Sequence, residues 1–254
     1  MKNEKNQLLV TVITVSLNSE KTIAGTIESV LAQTYGNIEY IVVDGASKDN
    51  TVNVAKGYKA VFDAKEGRSL KIVSEPDKGM YDALNKGAAM AHGELVGQIN
   101  ADDRYEPDAV ETMVKLYEKE SYDAAWGSLN MLSPKGNWVK HAKIGKLWTT
   151  TGWCHPAMFS RREVLLTHPY PLESMYDDWD YITGLHHEGK KIVTTDKVIS
   201  NFSFGEGGMS TKKGFREIRK RVNITYGIYK KHGMSRFFWL YRWVYEIVKS
   251  IVSE

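Results

Sequence analysis

The sequence is poor in the features that mark exported or membrane-spanning proteins. Its 254 residues include a single cysteine, Cys154, which cannot form an internal disulfide, and no paired-cysteine spacing could hold a structural zinc ion. The first apolar stretch is soon followed by Asn18 and Glu20, so neither a signal peptide nor a stop-transfer segment is recognisable. From these absences we expect a cytoplasmic protein in a reducing compartment.

The glycine motifs of two large classes of nucleotide-binding protein are also missing. A dinucleotide-binding dehydrogenase carries GxGxxG in the loop after its first strand, but here that loop, residues 17–22, contains no glycine. The motif GxxxxGK[ST] of P-loop nucleotide hydrolases occurs nowhere in the chain. Any nucleotide must therefore be bound in another way.

Charge is distributed unevenly along the chain. The formal net charge of +3 conceals 23 Lys and Arg against 28 Asp and Glu in residues 1–211, and 11 against 3 in residues 212–254. A basic tail of this kind predicts an anionic partner. No helix-turn-helix, RNA-binding or zinc-finger pattern accompanies it, which argues against nucleic acid.

What the sequence does contain is a repeated alternation of short apolar runs and amphipathic segments. Residues 8–16 form a β-branched run typical of a strand buried on both faces, and apolar residues then recur at helical spacing from Ile23 to Leu31. The rhythm returns at residues 38–44 and 51–62, 70–74 and 81–91, and 95–100 and 107–118. It predicts an α/β fold with a mostly parallel central sheet.

Polar side chains follow several of these predicted strands. In open parallel sheets ligands bind beyond the carboxyl ends of the strands, and those ends here carry acidic and amide residues. They are residues 18–20, Asp44, residues 75–77 and residues 100–103. From about Tyr122 the pattern changes to short strands with a turn at residues 133–137, so we expect the second half to build a different surface.

Asp102 and Asp103 are candidates for holding a divalent metal ion. They follow an apolar strand, and Mg²⁺ or Mn²⁺ binds through one or two carboxylates together with the phosphate groups of a substrate. A turn that caps the next helix is the structural alternative, because Asp is common at such positions. Asp44 is a further candidate, since a carboxylate at a strand end could accept hydrogen bonds from a base or a ribose.

Five segments resemble family-two inverting glycosyltransferases and occur in the order seen in that family. They are TVITVSLNSEKTIAGTIESVLAQTY, IVVDGASKDNT, EPDKGMYDALNKG, GQINADD and YDDWDYITGL. The resemblance covers roughly residues 8–210 and is most specific to the capsule, colanic-acid and O-antigen branch. It implies a catalytic domain of the GT-A fold, a Rossmann-like nucleotide-sugar-binding fold, over residues 1–210. Within it, residues 1–121 would form the donor half and residues 122–210 the acceptor half, followed by a helical tail.

The resemblance also implies roles in donor binding. Asp44 would hydrogen-bond the nucleobase, and Asp77 and Lys78 would lie beside the nucleotide, for which UDP is the commonest choice in the family. His155 matches a histidine that the family places near the diphosphate or the acceptor, and Ser210 belongs to a segment resembling a loop that closes over the donor. A structural histidine and a helix cap are the respective alternatives.

Residues 100–102 would replace the DXD metal motif of the family. Asp102 would then be the principal ligand of Mn²⁺ or Mg²⁺, with Asp103 beside it. The first acidic position of DXD is Asn100 in this sequence. That departure leaves the ribose contact and the composition of the metal shell open.

The segment around Asp178 resembles the family's ED-Y-D motif, whose second carboxylate deprotonates the acceptor hydroxyl group. This implies that Asp178 is the general base of a one-step inverting displacement, a role that suits a partly buried carboxylate. The same acidic cluster could instead stabilise a helix N-terminus through the helix dipole, and both interpretations can hold together.

The basic tail includes residues 237–252, which have an amphipathic helical pattern. Arg242 and Glu246 lie on one face of the predicted helix, and Leu240, Val244 and Val248 lie on the other. We expect residues 212–252 to lie on an anionic membrane surface without crossing it. The alternative is that the apolar face packs on the catalytic core or on a second subunit of a homo-oligomer.

These observations predict a metal-dependent enzyme that moves a hexosyl or N-acetylhexosaminyl group from a nucleotide-diphosphate sugar, most commonly a UDP-sugar. The expected acceptor is an undecaprenyl-diphosphate-linked saccharide at the inner face of the plasma membrane, in bacterial surface polysaccharide assembly. A nucleotidyl- or sugar-phosphate transferase is one rival, which the ED-like motif opposes. A non-catalytic nucleotide-binding partner is the other, which intact Asp102 and Asp178 oppose.

Overall fold

Four parallel strands form the first half of the protein. The computed structural model describes residues 7–145, 152–203, 214–235 and 237–252. The strands are β1 Val10–Ser16, β2 Ile38–Asp44, β3 Arg68–Ser74 and β4 Leu95–Asn100. They lie in the order β3-β2-β1-β4, all parallel. Every residue of β1 is buried, as the predicted strand covered on both faces requires.

Helices follow these strands as the sequence pattern predicts, with one difference. The helices are α1 Ile23–Leu31, α2 Thr51–Gly57, α3 Lys59–Asp63, α4 Met80–Met90 and α5 Ala109–Glu120. The single helix expected over residues 51–62 is thus divided at Tyr58. Gly57 is a weak helix former, and after it the turn tightens, because the Tyr58 amide donates to Ala55 O at 3.1 Å.

The second half extends the same sheet with strands of both directions. Its elements are β5 Arg104–Tyr105, β6 Ala124–Leu132, β7 Trp138–Lys140, β8 Met158–Arg161, α6 Arg162–Thr167, α7 Asp177–His187 and β9 Ile192–Ser203. β8 lies antiparallel between β4 and β6, and β9 is parallel to β6. The predicted turn at residues 133–137 is confirmed, since it joins β6 to antiparallel β7. The divisions proposed at residues 121 and 210 stay predictions.

The core lies on both faces of the sheet. One cluster contains Tyr40, Phe62 and Phe159, and the other contains Trp126 and Trp179. These side chains are fully buried, and their apolar area supplies the main favourable contribution to folding. The second cluster includes residues of α7, so packing fixes this helix against the sheet.

Two helices make up the described part of the tail, α8 Phe215–Lys231 and α9 Phe237–Val252. The ring of Tyr229 on α8 packs edge-on against Trp179 of α7, with centroids 5.3 Å apart. Within the described ranges, no helix combines the length and apolar character that a bilayer-spanning segment needs.

The orientation of α9 differs from the expected alternative in which its apolar face packs on the core. Arg242 and Glu246 are 2% and 1% exposed, whereas Leu240 and Val244 are 58% and 55% exposed. The physical reason is an ion-pair cluster: Arg221 of α8 contacts Glu246 at 2.8 Å and Arg242 contacts it at 2.7 Å. The charged face of α9 therefore faces inward.

Candidate active site

A cleft of about 620 Å³ opens at the carboxyl edge of the parallel strands. Its wall is formed by the end of β1, the loop after it, the start of α4 and the end of β4. The lining residues are Val15, Ser16, Leu17, Asn18, Ser19, Glu20, Lys21, Thr22, Asp49, Asp77, Gly79, Met80, Ala83, Asn100, Ala101 and Asp102. This is the edge at which the sequence placed its acidic and amide residues.

Reciprocal hydrogen bonds hold the loops after β1 and β2 together at one side of the cleft. The Asn18 amide donates to Ser47 Oγ at 2.8 Å, and Asn18 Oδ1 accepts from the Lys48 amide at 2.8 Å. The Glu20 amide donates to Asp49 Oδ2 at 3.0 Å. Asn18 has a φ of 50°, a left-handed conformation that asparagine tolerates better than most residues. These bonds hold the loops after β1 and β2 together as one wall of the cleft.

Asp44 lies behind this wall and is fully buried. Its carboxylate accepts hydrogen bonds from Ser16 Oγ at 3.1 Å, from Ser74 Oγ at 2.7 Å, and from both the amide and the hydroxyl of Ser47. Four donors occupy its acceptor sites, so Asp44 holds the ends of three neighbouring strands together. Its expected contact with the nucleobase stays a prediction.

Asp77 faces the cleft and packs against the main chain of Gly45. Its Oδ1 accepts a hydrogen bond from the Gly79 amide at 2.7 Å. A Cβ at Gly45 would lie 2.5 Å from Asp77 Oδ2, so a larger residue there would require the Asp77 side chain to shift. Lys78 is exposed, and its amide donates to Asp82 Oδ2 at 2.9 Å. The predicted roles of Asp77 and Lys78 in donor binding remain to be tested.

Asp102 and Asp103 are neighbours in sequence but occupy different environments. Asp102 opens into the cleft, and partial burial raises the pKa of its carboxyl group. Asp103 is buried, where its Oδ1 accepts from the Ser203 amide and its Oδ2 from Asn100 Nδ2, both at 3.0 Å. Burial, followed by the charge of Asp102, raises the pKa of Asp103 well above its ordinary value.

The donor atoms at this edge suit a hard divalent ion held mainly by its substrate. In the parts of the chain that the structure describes, no three His, Cys, Asp or Glu side chains converge on one point. Mg²⁺ and Mn²⁺ do not need such a cage, since one or two carboxylates suffice when phosphate oxygens complete the shell. Asp102 fits this arrangement, whereas both oxygens of Asp103 are engaged within the protein.

His155 joins the cleft to the helix that carries Asp178. Its Nε2 lies 3.0 Å from Asn100 Oδ1, and its Nδ1 lies 3.5 Å from Asp178 Oδ2. Asn100 Nδ2 donates to Asp103, which leaves Asn100 Oδ1 facing the His155 ring. His155 is buried and the Asp178 side chain is largely so. The arrangement brings Asn100, His155 and Asp178 together in one chain of polar contacts.

The three carboxylates at the start of α7 have distinct surroundings. Asp177 accepts from the amides of Glu173 and Ser174 at 3.0 and 2.7 Å and so fixes the preceding loop. Asp180 is buried against Lys231 and His232 of the tail. Asp178 is the one that faces His155 across the polar chain.

Lys21 and Tyr81 belong to the site but were not singled out from the sequence. Lys21 lines the cleft, where an ammonium group could attract a diphosphate. Burial, the charge of Asp178 and a hydrogen bond to it raise the pKa of the Tyr81 hydroxyl well above its ordinary value. The position of Lys21 just after the first strand was the available signal, whereas nothing local pairs Tyr81 with Asp178. Ser210 lies outside the described residues.

Comparison with known proteins identifies the family. The model described as glycosyl transferase family 2 matches residues 11–171. A PGL/p-HBAD biosynthesis glycosyltransferase of Mycobacterium bovis is 30% identical over 219 residues, covering 84% of each chain. The Escherichia coli protein WfgD, a UDP-Glc:alpha-D-GlcNAc-diphosphoundecaprenol beta-1,3-glucosyltransferase, is 25% identical over 241 residues, covering 93% of this chain and 92% of WfgD. The chain belongs to glycosyl transferase family 2 and is a glycosyltransferase.

Solved structures share its fold. S. aureus TarS 1–349, in complex with UDP-GlcNAc, has a TM-score of 0.66 at 20% identity, with 85% of this chain and 66% of TarS covered. This chain thus spans just under two thirds of that TarS fragment. The mannosyltransferase PcManGT of Pyrobaculum calidifontis, in complex with GDP-Man and Mn²⁺, has a TM-score of 0.66 at 17% identity, with 98% and 77% covered. The α/β fold is that of GT-A glycosyltransferases, as predicted.

Proposed function

We propose that the protein transfers one sugar from a UDP-sugar to a hydroxyl group of a lipid-linked saccharide. The transfer inverts the configuration at the anomeric carbon. The observation that carries the proposal is the position of two carboxylates. Asp102 opens into the cleft, and Asp178 is connected to the same strand end through His155 and Asn100.

The donor would lie in the cleft with its diphosphate beside Asp102. A divalent ion held there, Mn²⁺ or Mg²⁺, would supply positive charge against the departing diphosphate. Asp102 would hold the ion and Asp77 would lie beside the nucleotide. Asp44 would act at the end of the site that receives the nucleobase. Lys21 adds a second positive charge at the cleft. Support for a UDP-sugar comes from WfgD, whose donor is UDP-Glc.

Asp178 would act as the general base. A one-step inverting displacement needs a single carboxylate that accepts the hydroxyl proton while the oxygen attacks the anomeric carbon. His155 lies between Asn100 and Asp178, with Nε2 3.0 Å from Asn100 Oδ1 and Nδ1 3.5 Å from Asp178 Oδ2, so its ring packs beside the proposed base. Tyr81 contacts Asp178 from α4.

The acceptor would be a saccharide on a polyprenyl diphosphate. Support comes from WfgD, whose acceptor is a diphosphoundecaprenol-linked sugar and which matches this chain over 93% of its length. Bacterial surface polysaccharide assembly would be the setting. Transfer is tested by incubating the protein with UDP-sugars and such an acceptor and determining the anomeric configuration of the product by NMR, where retention of configuration would contradict the proposal.

The donor site is tested separately by thermal unfolding. UDP, GDP, dTDP and CMP are added with and without Mn²⁺ to the wild type, to Asp102→Ala, and to Asp63→Ala as a control that removes an exposed carboxylate of α3. Ligand at about 100 times its Kd stabilises a protein by about 2.7 kcal/mol. We expect Mn²⁺-dependent stabilisation by one nucleoside diphosphate, lost only in Asp102→Ala. An absence of response to every nucleotide would refute the donor site.

A further inference from the structure

An apolar ridge runs along the outer side of α9. Phe237 is 82% exposed, and Leu240, Val244 and Val248 are 58%, 55% and 52% exposed. Residues spaced three and four apart lie on one face of a helix, so these four form a continuous strip. A helix in a water-soluble protein normally buries such an apolar strip against the rest of the protein.

The ridge cannot be buried by turning the helix, because the opposite face is fixed. Glu246 lies between two arginines, Arg221 at 2.8 Å and Arg242 at 2.7 Å, all three buried. The Arg242 guanidinium also lies over the ring of Tyr176 at 5.8 Å and over that of Trp179 at 6.0 Å. Rotating α9 would separate buried charges, which is costly. The fold therefore presents the ridge outward.

The helix that packs against α9 is strongly basic. Arg216, Arg219, Lys220 and Lys230 are exposed and share one face of α8. Phe215, at the start of α8, is exposed and its ring lies 5.6 Å from that of Trp243. A second copy of the chain would bring its own basic α8 to the contact, whereas an anionic lipid surface offers apolar chains below and negative charge above.

We propose that α9 docks on an anionic membrane surface, with Phe237, Leu240, Val244 and Val248 inserted among the lipids and the basic face of α8 against the headgroups. The helix lies in the plane of the interface. The buried cluster of Arg221, Arg242 and Glu246 is the attachment that holds it to the enzyme in this orientation. This docking does not depend on the proposed reaction.

The test is co-sedimentation of the full chain with vesicles that contain neither donor nor acceptor. The vesicles are phosphatidylcholine alone, or equal parts of phosphatidylcholine and phosphatidylglycerol. The ridge variant is Leu240→Glu/Val244→Glu. Its matched control is Val61→Glu/Leu166→Glu, which places the same two charges at exposed apolar positions on α3 and α6. Circular dichroism checks that each variant is folded.

We expect the wild type and the control to sediment with the anionic vesicles and the ridge variant to bind at least about tenfold more weakly. Binding of a chain with an intact ridge should be weaker to neutral vesicles and in added salt. It should also be weaker in the variant Arg216→Gln/Arg219→Gln/Lys220→Gln. If the ridge variant does not fold, this triple variant tests the proposal. Equal binding by all variants, or no binding by the wild type, would overturn the proposal. The proposal would also be overturned if light scattering showed a dimer that depends on the ridge residues and does not bind vesicles.

Discussion

His155 Nδ1 lies 3.5 Å from Asp178 Oδ2, while the other ring nitrogen, Nε2, is 3.0 Å from Asn100 Oδ1. A single imidazole thus links the end of β4, which forms part of the cleft, to the first turn of α7. Asp178 is not among the residues that line the cleft, so the proposed base can be altered without removing a lining residue.

Replacing Asp178 with Asn should separate chemistry from binding. The amide keeps the shape of the side chain but cannot accept a proton, so we expect turnover to fall about 10²- to 10⁴-fold. Stabilisation by the nucleoside diphosphate and Mn²⁺ should stay as in the wild type, because Asp178 is not part of the cleft lining. Steady-state kinetics and thermal unfolding measure the two effects. Turnover close to that of the wild type would exclude Asp178 as the base.

Gly45→Ala should weaken nucleotide binding through Asp77. The new methyl group would lie 2.5 Å from Asp77 Oδ2, so the end of the Asp77 side chain must shift from its present position. If Asp77 contacts the nucleotide from that position, we expect the Kd for the nucleotide to rise up to about tenfold. Gly57→Ala is the control, since a Cβ there meets no atom within 4 Å. Isothermal titration calorimetry distinguishes the two, and equal affinities would mean that Asp77 does not contribute.

Asp180→Asn should reveal how strongly α8 is held to α7, and at which pH. Burial alone would raise the pKa of Asp180, but hydrogen bonds from His232 and Lys231 outweigh it and hold the pKa below its ordinary value. A lowered carboxyl pKa stabilises the fold above about pH 4, and this stability is lost as the pH falls through the folded-state pKa. At pH 7 we expect a loss of roughly 1.5–3 kcal/mol.

Urea unfolding at several pH values measures this difference. The gap between the wild type and Asp180→Asn should shrink as the pH falls below about 4. Asp63→Asn is the control, because the Asp63 pair with Lys59 is exposed and should contribute little at any pH. A gap that widens in acid would show that the assumed direction of the pKa shift is wrong.

Glu246→Gln should destabilise the tail. It removes the carboxylate that both Arg221 and Arg242 contact in the buried cluster, and breaking a buried ion pair from one side costs about 3–5 kcal/mol. Glu217→Gln on α8 changes the same chemical group at a partly exposed site and should stay within about 0.5 kcal/mol of the wild type. Chemical denaturation provides the comparison. Similar values for both variants would show that the cluster does not hold α9 in place.

The strand and helix pattern of the first half could be predicted because local periodicity determines it. β2 and β4 have the predicted bounds, and the loops at their carboxyl ends meet where parallel strands require. The order of strands in the second half could not be predicted. β9 pairs with β6 across some 70 residues of sequence, from Ala124 and Ile192 onward, and nothing local specifies that partner.

The site was predicted in part, for a similar reason. Asp102 at the end of an apolar strand is a local signal, but the saturation of Asp44 by Ser16, Ser47 and Ser74 involves three separate segments. Likewise the two faces of α9 were visible in the sequence, but which one faces the core depends on Arg221, a residue of another helix.

The tail also determines how far Asp178 lies from the surface on which α9 rests. Arg242 of α9 lies against Tyr176 and Trp179, which flank Asp178 in sequence, and α8 ends against Asp180. An enzyme that rests on lipid through α9 would therefore hold Asp178 at one height above the headgroups. A fixed height would select acceptors by their length. The number of sugars already present on a lipid carrier, and not their identity alone, would decide which hydroxyl group reaches the base.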